Sequence, residues 1–293
     1  MSESKEKESI TGKVADHYNL KKSLGREARH SSRIIYLRSF NNWIKSCLIN
    51  DFIGRLKTSN GNSNTELSVH DLGCGRGGDT LKWAKNRVNR VLFSDLADQS
   101  LAECQERAHR KFAHTSFVHL DATRDCIVAK MRELELDAEP CDLVSSQFVI
   151  HYSFESFAQA NTFMRNVART LKEGGYFIGT TTNAYEIVKR LRQSDTNAFG
   201  NDIYRVEFDA AQDKEHFALF GARFEFTLDD VVGCPEYLLN FEALVRLAER
   251  HGLHLIYRKT FDEMFAEYSE SDENRKLLKI MQALMPYYPS GYS

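Results

Sequence analysis

The sequence predicts an α/β fold, a mostly parallel sheet with helices on both faces. Three observations carry that prediction. Short apolar runs alternate with helical stretches from about residue 67 onward, the βαβ rhythm of a parallel sheet. A glycine-rich turn, DLGCGRGGD at 71–79, separates the first of these runs from the first helix that follows. Acids close three successive runs, at Asp71, Asp95 and Asp121.

The elements follow in order. Residues 1–12 are polar and read as a disordered tail, with one domain over 13–293. Ile34, Leu37, Phe40, Ile44, Cys47 and Leu48 recur at helical spacing, so 31–53 is a helix that Ser31 or Ser32 can cap. If the helix extends backwards, Arg26, Arg29 and Arg33 share one side of it. A Gly/Asn/Ser loop fills 57–66. Strands are expected at 67–72, 91–95, 116–120, 142–147 and 175–181. Helices are expected at 79–85, 98–112 and 157–171, the last one stopping at the glycines of EGG (173–175). Between about 200 and 232 the period changes to two, which predicts a small inserted antiparallel β pair. A helix at 238–251 and a strand at 253–261 then resume the main fold.

Composition sets the outer limits. With 293 residues, 42% hydrophobic and 27% charged, the chain can bury a core of one large domain. No run reaches the roughly 18 apolar residues of a membrane span, and MSESKEKESI is too polar for a secretory signal. The six cysteines include no C-x-x-C pair, which argues for a reducing compartment and against a thiolate zinc site. Net charge is −2, yet residues 11–50 hold eight Lys or Arg against Asp16 and Glu27. Such a patch can attract a polyanion locally, and it can equally be a solvated helix face.

Gly73, Gly75 and Gly78 satisfy G-x-G-x-x-G, a weak signal that leaves a dinucleotide dehydrogenase open. Carboxylates on both sides of the loop, Asp71 and Asp79, would repel a pyrophosphate but suit the cationic end of S-adenosylmethionine. Asp95 stands where an acid accepts bonds from two ribose hydroxyls, and Asp121 where one accepts from an adenine amino group. Singly, each could be a strand-end turn residue. Three in succession on the ligand-binding edge make that reading poor.

Beyond the glycine loop, VADHYN (14–19), SRIIYLRSFNNWIKSCLI (32–49), SSQFVIHYSFES (145–156), GGYFIGTTTNAYEIVKRL (174–191), FGNDIYRVEF (199–208), PEYLLNF (235–241) and MQAL (281–284) resemble the eukaryotic mRNA cap (guanine-N7) methyltransferases, the animal members most closely. The resemblance implies a class I, Rossmann-like methyltransferase fold, with S-adenosylmethionine as donor and no metal. It implies 5′-capped RNA as substrate, a nuclear location, and partners in a small activating subunit and the capping and transcription machinery.

Carried over position by position, Lys45, Gly73, Asp95, Asp121, Gln147 and Tyr152 would hold the donor. Asn41, Asn42, Arg76, Lys82, Arg107, His151 and Glu236 would hold the cap. Arg76 stands where the family often has lysine. The family's last strand has no counterpart after MQALMPYYPSGYS, so the resemblance predicts an incomplete C-terminus and an unpaired sheet edge near Ile256. Two other classes stay open: a methyltransferase acting on a small molecule, and a cap- or RNA-binding module without turnover.

Overall fold

A computed structural model describes Asn19 and residues 32–59, 66–229 and 232–285. The expected tail, the VADHYN block apart from Asn19, Arg26, Arg29, Ser31 and most of the 57–66 loop lie outside the described residues. So does the end of the chain after Met285.

A five-stranded sheet is formed by β1 (Ser68–Leu72), β2 (Arg90–Asp95), β3 (His114–His119), β4 (Cys141–Gln147) and β5 (Leu171–Thr180). Its order is β3-β2-β1-β4-β5 and all neighbours are parallel. Alternation across the strands builds the two cores. Val69 and Leu143 face one side, against α1 (Ile35–Ser59), while Leu72 and Val144 face the other, against α5 (Phe157–Thr170) and α7 (Phe241–Arg250). α1 buries Trp43, Ile44, Cys47, Leu48, Ile49, Phe52 and Ile53, which fall on all sides of the helix rather than on one stripe. Each such side chain contributes roughly 1.5–3 kcal/mol of burial, so this helix anchors the fold. α8 (Phe261–Tyr268) and α9 (Asp272–Ile280) pack on its outer side. Short helices α2 (Thr80–Lys85), α3 (Asp98–Ala108) and α4 (Ile127–Glu133) complete the crossovers.

Capping chemistry sets several boundaries. Ser156 accepts from Gln159 N at the start of α5, Asn183 from Tyr185 N and Glu186 N at α6 (Ala184–Gln193), and Asn240 from Ala243 N at α7. Thr260 and Glu263 form a reciprocal capping box on α8.

The strand order reverses between β1 and β4, and in open α/β sheets ligands bind beyond the strand tips at such a switch point. A second, four-stranded antiparallel sheet stands over that crevice. It consists of β6 (Ala198–Gly200), β7 (Tyr204–Glu207), β8 (Arg223–Leu228) and β9 (Val232–Tyr237). It has its own small core of Val206, Phe208, Phe224 and Leu238 against Leu191 of α6. Tyr237 and Leu239 tie it into the main core beside Phe154.

Four expectations are corrected. The insertion is four strands rather than a pair: β7 and β8 are the expected two, while β6, only three residues long, and β9, which carries Pro235, give no clear period-two signal. The first helix runs on to Ser59, into the stretch expected to be loop. The helix expected to stop at EGG ends earlier: Leu171 already opens β5, and Gly175 lies where a Cβ would meet the Asp142 carbonyl at 2.8 Å. The strand expected at 253–261 does not form. Tyr257 turns inward to Phe52, 5.9 Å between ring centroids, and Phe52 meets Tyr176 of β5 at 5.0 Å, while Leu255 and Ile256 stay exposed. The apolar run Leu255, Ile256 and Tyr257 favours extended backbone, but a strand also needs a ladder. Among the described residues β5 pairs only with β4.

Candidate active site

Four of the residues assigned to the donor lie at or just beyond the tips of β1 to β4. Gly73 follows β1 with φ +77°, and a Cβ there would stand 2.6 Å from Val149 Cγ2. Only glycine lets the loop pass this close. Asp95, at the tip of β2, accepts from Gly75 N at 2.7 Å and Ala97 N at 2.9 Å, so it fastens the glycine loop to the start of α3. Burial pushes its carboxyl above the ordinary value, partly offset by these backbone N–H groups. Asp121, just past β3, accepts from Thr123 N and Thr123 Oγ1 through Oδ1. Its Oδ2 is buried and accepts no hydrogen bond, although Arg124 Nε lies 3.3 Å away. Gln147 closes β4, its amide held by Ser145 Oγ and Thr180 Oγ1 at 2.9 and 3.1 Å.

Beyond β4 the chain turns sharply. Phe148 adopts φ +62°, a strained position for a bulky residue, held by its N–H to the Thr180 carbonyl at 2.9 Å and by its ring against Phe261. That turn aims the 3-10 helix Ile150–Glu155 across the crevice, and β9 packs against it.

His151 and Tyr152, from the 3-10 helix, set their rings 4.4 Å apart. Tyr152 Oη lies 3.5 Å from Cys234 Sγ on β9. His151 Nδ1 meets Thr181 Oγ1 at 3.3 Å, while His151 Nε2 and Glu236 Oε2 face each other at 3.5 Å. Both of these last atoms are buried without a hydrogen bond. A carboxylate oxygen only 4% exposed as a residue and lacking a donor is costly unless something else supplies one. The two orphaned atoms therefore mark a place for a ligand with donors of its own.

The assigned cations fall into two groups. Lys45 on α1 and Lys82 on α2 share Asp79: Lys45 Nζ lies 2.8 Å and Lys82 Nζ 2.6 Å from Asp79 Oδ1. Lys82 also reaches Asn42 Oδ1 at 3.2 Å. Burial opposes the Asp79 charge, yet the two ammonium groups hold its carboxyl below the ordinary value. Asp79 thus neutralises lysines, where the sequence suggested a carboxylate free to face a sulfonium. Asn41 is half-buried on the same turn of α1 as Asn42. Arg76 and Arg107 meet on Glu103, at 3.4 and 3.5 Å, at the rim. Sequence reasoning missed Val149, Thr181, Cys234, Arg124 and Glu103. Only Val149, Thr181 and Cys234 sit inside or beside blocks it had marked.

Asp71 is fully buried and accepts from Trp83 Nε1 at 2.9 Å. Burial, then the nearby Asp79 charge, raises its carboxyl from 3.8 to about 7. Between those values the folded protein holds a proton the unfolded chain has lost, so stability falls as pH rises through that window. Asp71→Asn is expected to remove this slope. Urea melts across pH 4 to 8 should show the variant gaining on the native protein as pH rises, and parallel curves would refute the assignment.

A hollow of about 650 Å³, lined by Ser68, Arg90, His114 and Lys172 among others, opens at the opposite, N-terminal ends of the strands. It shares no residue with the site, and strand starts lack the convergent loops that bind ligands in such sheets.

The chain is similar to known proteins in sequence and in fold. A family profile of the mRNA (guanine-N(7))-methyltransferase domain matches residues 1–289. The mRNA cap guanine-N(7) methyltransferase of Drosophila melanogaster is 42% identical, over 94% of this chain and 66% of its own length. That of Caenorhabditis briggsae is 37% identical, over 92% and 71%. Among solved structures, the CcbJ methyltransferase of Streptomyces caelestis covers 87% of this chain and 92% of its own at TM-score 0.53 and 15% identity, a likeness of fold alone.

Proposed function

Because the chain belongs to the mRNA (guanine-N7)-methyltransferase family, we propose that it transfers the methyl group of S-adenosylmethionine to N7 of the guanosine cap of mRNA. The observation that carries the proposal is the buried, hydrogen-bond-lacking pair of Glu236 Oε2 and His151 Nε2 beside the strand tips. Guanine presents an N1–H and an amino group, two donors for one carboxylate. The rings of His151 and Tyr152 give a base a surface on which to stack.

The donor residues fit their group. The Gly73 cradle admits it, Asp95 can take its ribose, and the spare Asp121 Oδ2 can take its adenine amino group. Lys45 would meet its carboxylate, with Gln147 and Tyr152 lining the same pocket. When bound, S-adenosylmethionine supplies a methyl group already activated on a sulfonium.

Guanine N7 carries a lone pair and no proton, so no residue here is required as a general base. The chain's contribution is alignment: Glu236 and His151 fix the base, and the strand-tip residues fix the donor. Arg76, Lys82 and Arg107 would face the triphosphate bridge, with Asn41 and Asn42 beside them. The proposal includes no metal, a nuclear location where caps are made, and a small activating partner.

Incubation with labelled S-adenosylmethionine and GpppG-capped RNA is expected to place label at N7 of the cap guanine. Label on a small molecule in its place, or cap binding without transfer, would replace the proposal with one of the two other classes.

A further inference from the structure

One flank of the molecule carries arginines that have no carboxylate partner among the described residues. On α5, Asn161, Arg165 and Arg169 recur every fourth residue and so form one stripe, each step about 6 Å along the axis. His251, just past the end of α7, joins the stripe through Nε2 to Asn161 Oδ1 at 3.0 Å. Arg250 lies beside it, its guanidinium 5.9 Å from the ring centroid of Phe157, the exposed first residue of α5. Arg165 donates to Thr162 Oγ1 and Arg169 to Cys126 Sγ, and neither partner is an acid. Arg165 Nε is buried and has no acceptor. Among the described residues no carboxylate lies within ion-pair distance of Arg165, Arg169 or Arg250. Most other arginines in the structure find one, as Arg90, Arg124, Arg190, Arg192, Arg205 and Arg275 do. The surplus is felt locally: the His251 imidazole is pushed below its ordinary value, first by partial burial and then by Arg165, Arg169 and Arg250.

Position decides what this charge is for. Only the capping residue Ser156 separates Phe157 from the 3-10 helix that carries His151, so the stripe begins near the site assigned to the cap and follows α5 away from it. We propose that the RNA chain 3′ of the cap lies along this flank, its phosphates on Arg165, Arg169 and Arg250 and a base against Phe157. This rests on the proposed binding of the cap at His151 and Glu236. An exposed ring beside guanidinium groups is the combination that holds single strands without regard to sequence, whereas an acidic polypeptide would need the charge but not the ring.

The test combines Arg165→Gln, Arg169→Gln and Arg250→Gln and compares two substrates, the GpppG dinucleotide and a capped RNA long enough to reach Arg169. The KM for capped RNA is expected to rise about tenfold, with the KM for GpppG unchanged. By fluorescence anisotropy on uncapped RNA, the slope of log affinity against log salt should fall by about 2, at about 0.7 for each phosphate no longer neutralised. Arginine-to-lysine changes at the same three positions should restore most of the affinity, since a point charge still meets a phosphate.

Equal KM changes on both substrates, or an unchanged salt slope, would overturn the proposal. So would loss of polyglutamate binding with RNA binding intact, which would give the flank to an acidic protein. If the triple variant fails to fold, exposed Arg169→Gln alone should lower the slope by about 0.7. A native protein that leaves GpppG unmethylated would defeat the cap reading by itself, while anisotropy on uncapped RNA still judges the flank.

Discussion

Replacing Glu236 by alanine is expected to lower kcat/KM for cap methylation by roughly a hundredfold to a thousandfold, with the affinity for S-adenosylmethionine unchanged. The reason is where the residue stands. Glu236 lies on β9, opposite Phe224 of β8, and the inserted sheet brings it to His151, whereas the acids and glycine assigned to the donor come from the loops after β1 to β3. Losing its carboxylate would leave guanine N1–H and its amino group without acceptors in a dry pocket, which costs more than the bond itself. Glu236→Gln should also be impaired, because an amide presents an acceptor to one donor and a donor to the other. Steady-state kinetics on GpppG, with calorimetry for the donor, separates the cases. A variant whose only defect is weak donor binding would take Glu236 out of the acceptor pocket.

The second large effect is expected at Asp95. Asp95→Ala should weaken S-adenosylmethionine binding by a hundredfold or more, because two hydrogen bonds to a carboxylate are worth about 1.5–3 kcal/mol each. The same change frees Gly75 N and Ala97 N, so the glycine loop loses its tether to β2. Calorimetric titration of donor into the variant reads this directly. An unchanged dissociation constant would show that the ribose is held elsewhere.

How much of this was legible in the sequence follows from the range of the forces involved. β2 declared itself by the apolar Val91, Leu92 and Phe93. β1 (SVHDL) and β4 (CDLVSSQ) are buried yet half polar and were legible through the alternation of short runs with helices, and the glycine loop through glycines that take left-handed angles at 73, 75 and 77. Asp95 and Asp121 are local features that the structure puts at strand tips, as the chain alone suggested, whereas Asp71, read the same way, is buried in β1 against Trp83. Sharing Asp79 between Lys45 and Lys82 was not visible, since Lys45 arrives from a helix 34 residues earlier and only the tertiary fold brings it there. Likewise the facing of His151 and Glu236, 85 positions apart in the numbering, depends on the strained turn at Phe148 and on a β9 that Pro235 hides from pattern reading. Residues 253–261 misled in the opposite sense. Their apolar run Leu255, Ile256 and Tyr257 reports a preference for extended backbone, and no local pattern reports whether a neighbouring strand is there to bond.

One carboxylate serving two ammonium groups has a thermodynamic corollary. Whatever draws Lys45 away leaves the whole Asp79 charge to Lys82, and whatever draws Lys82 away returns it to Lys45. On the proposed assignments those pulls come from the two substrates, one on each lysine. Occupancy at either end must then alter the grip at the other, by the same factor in both directions.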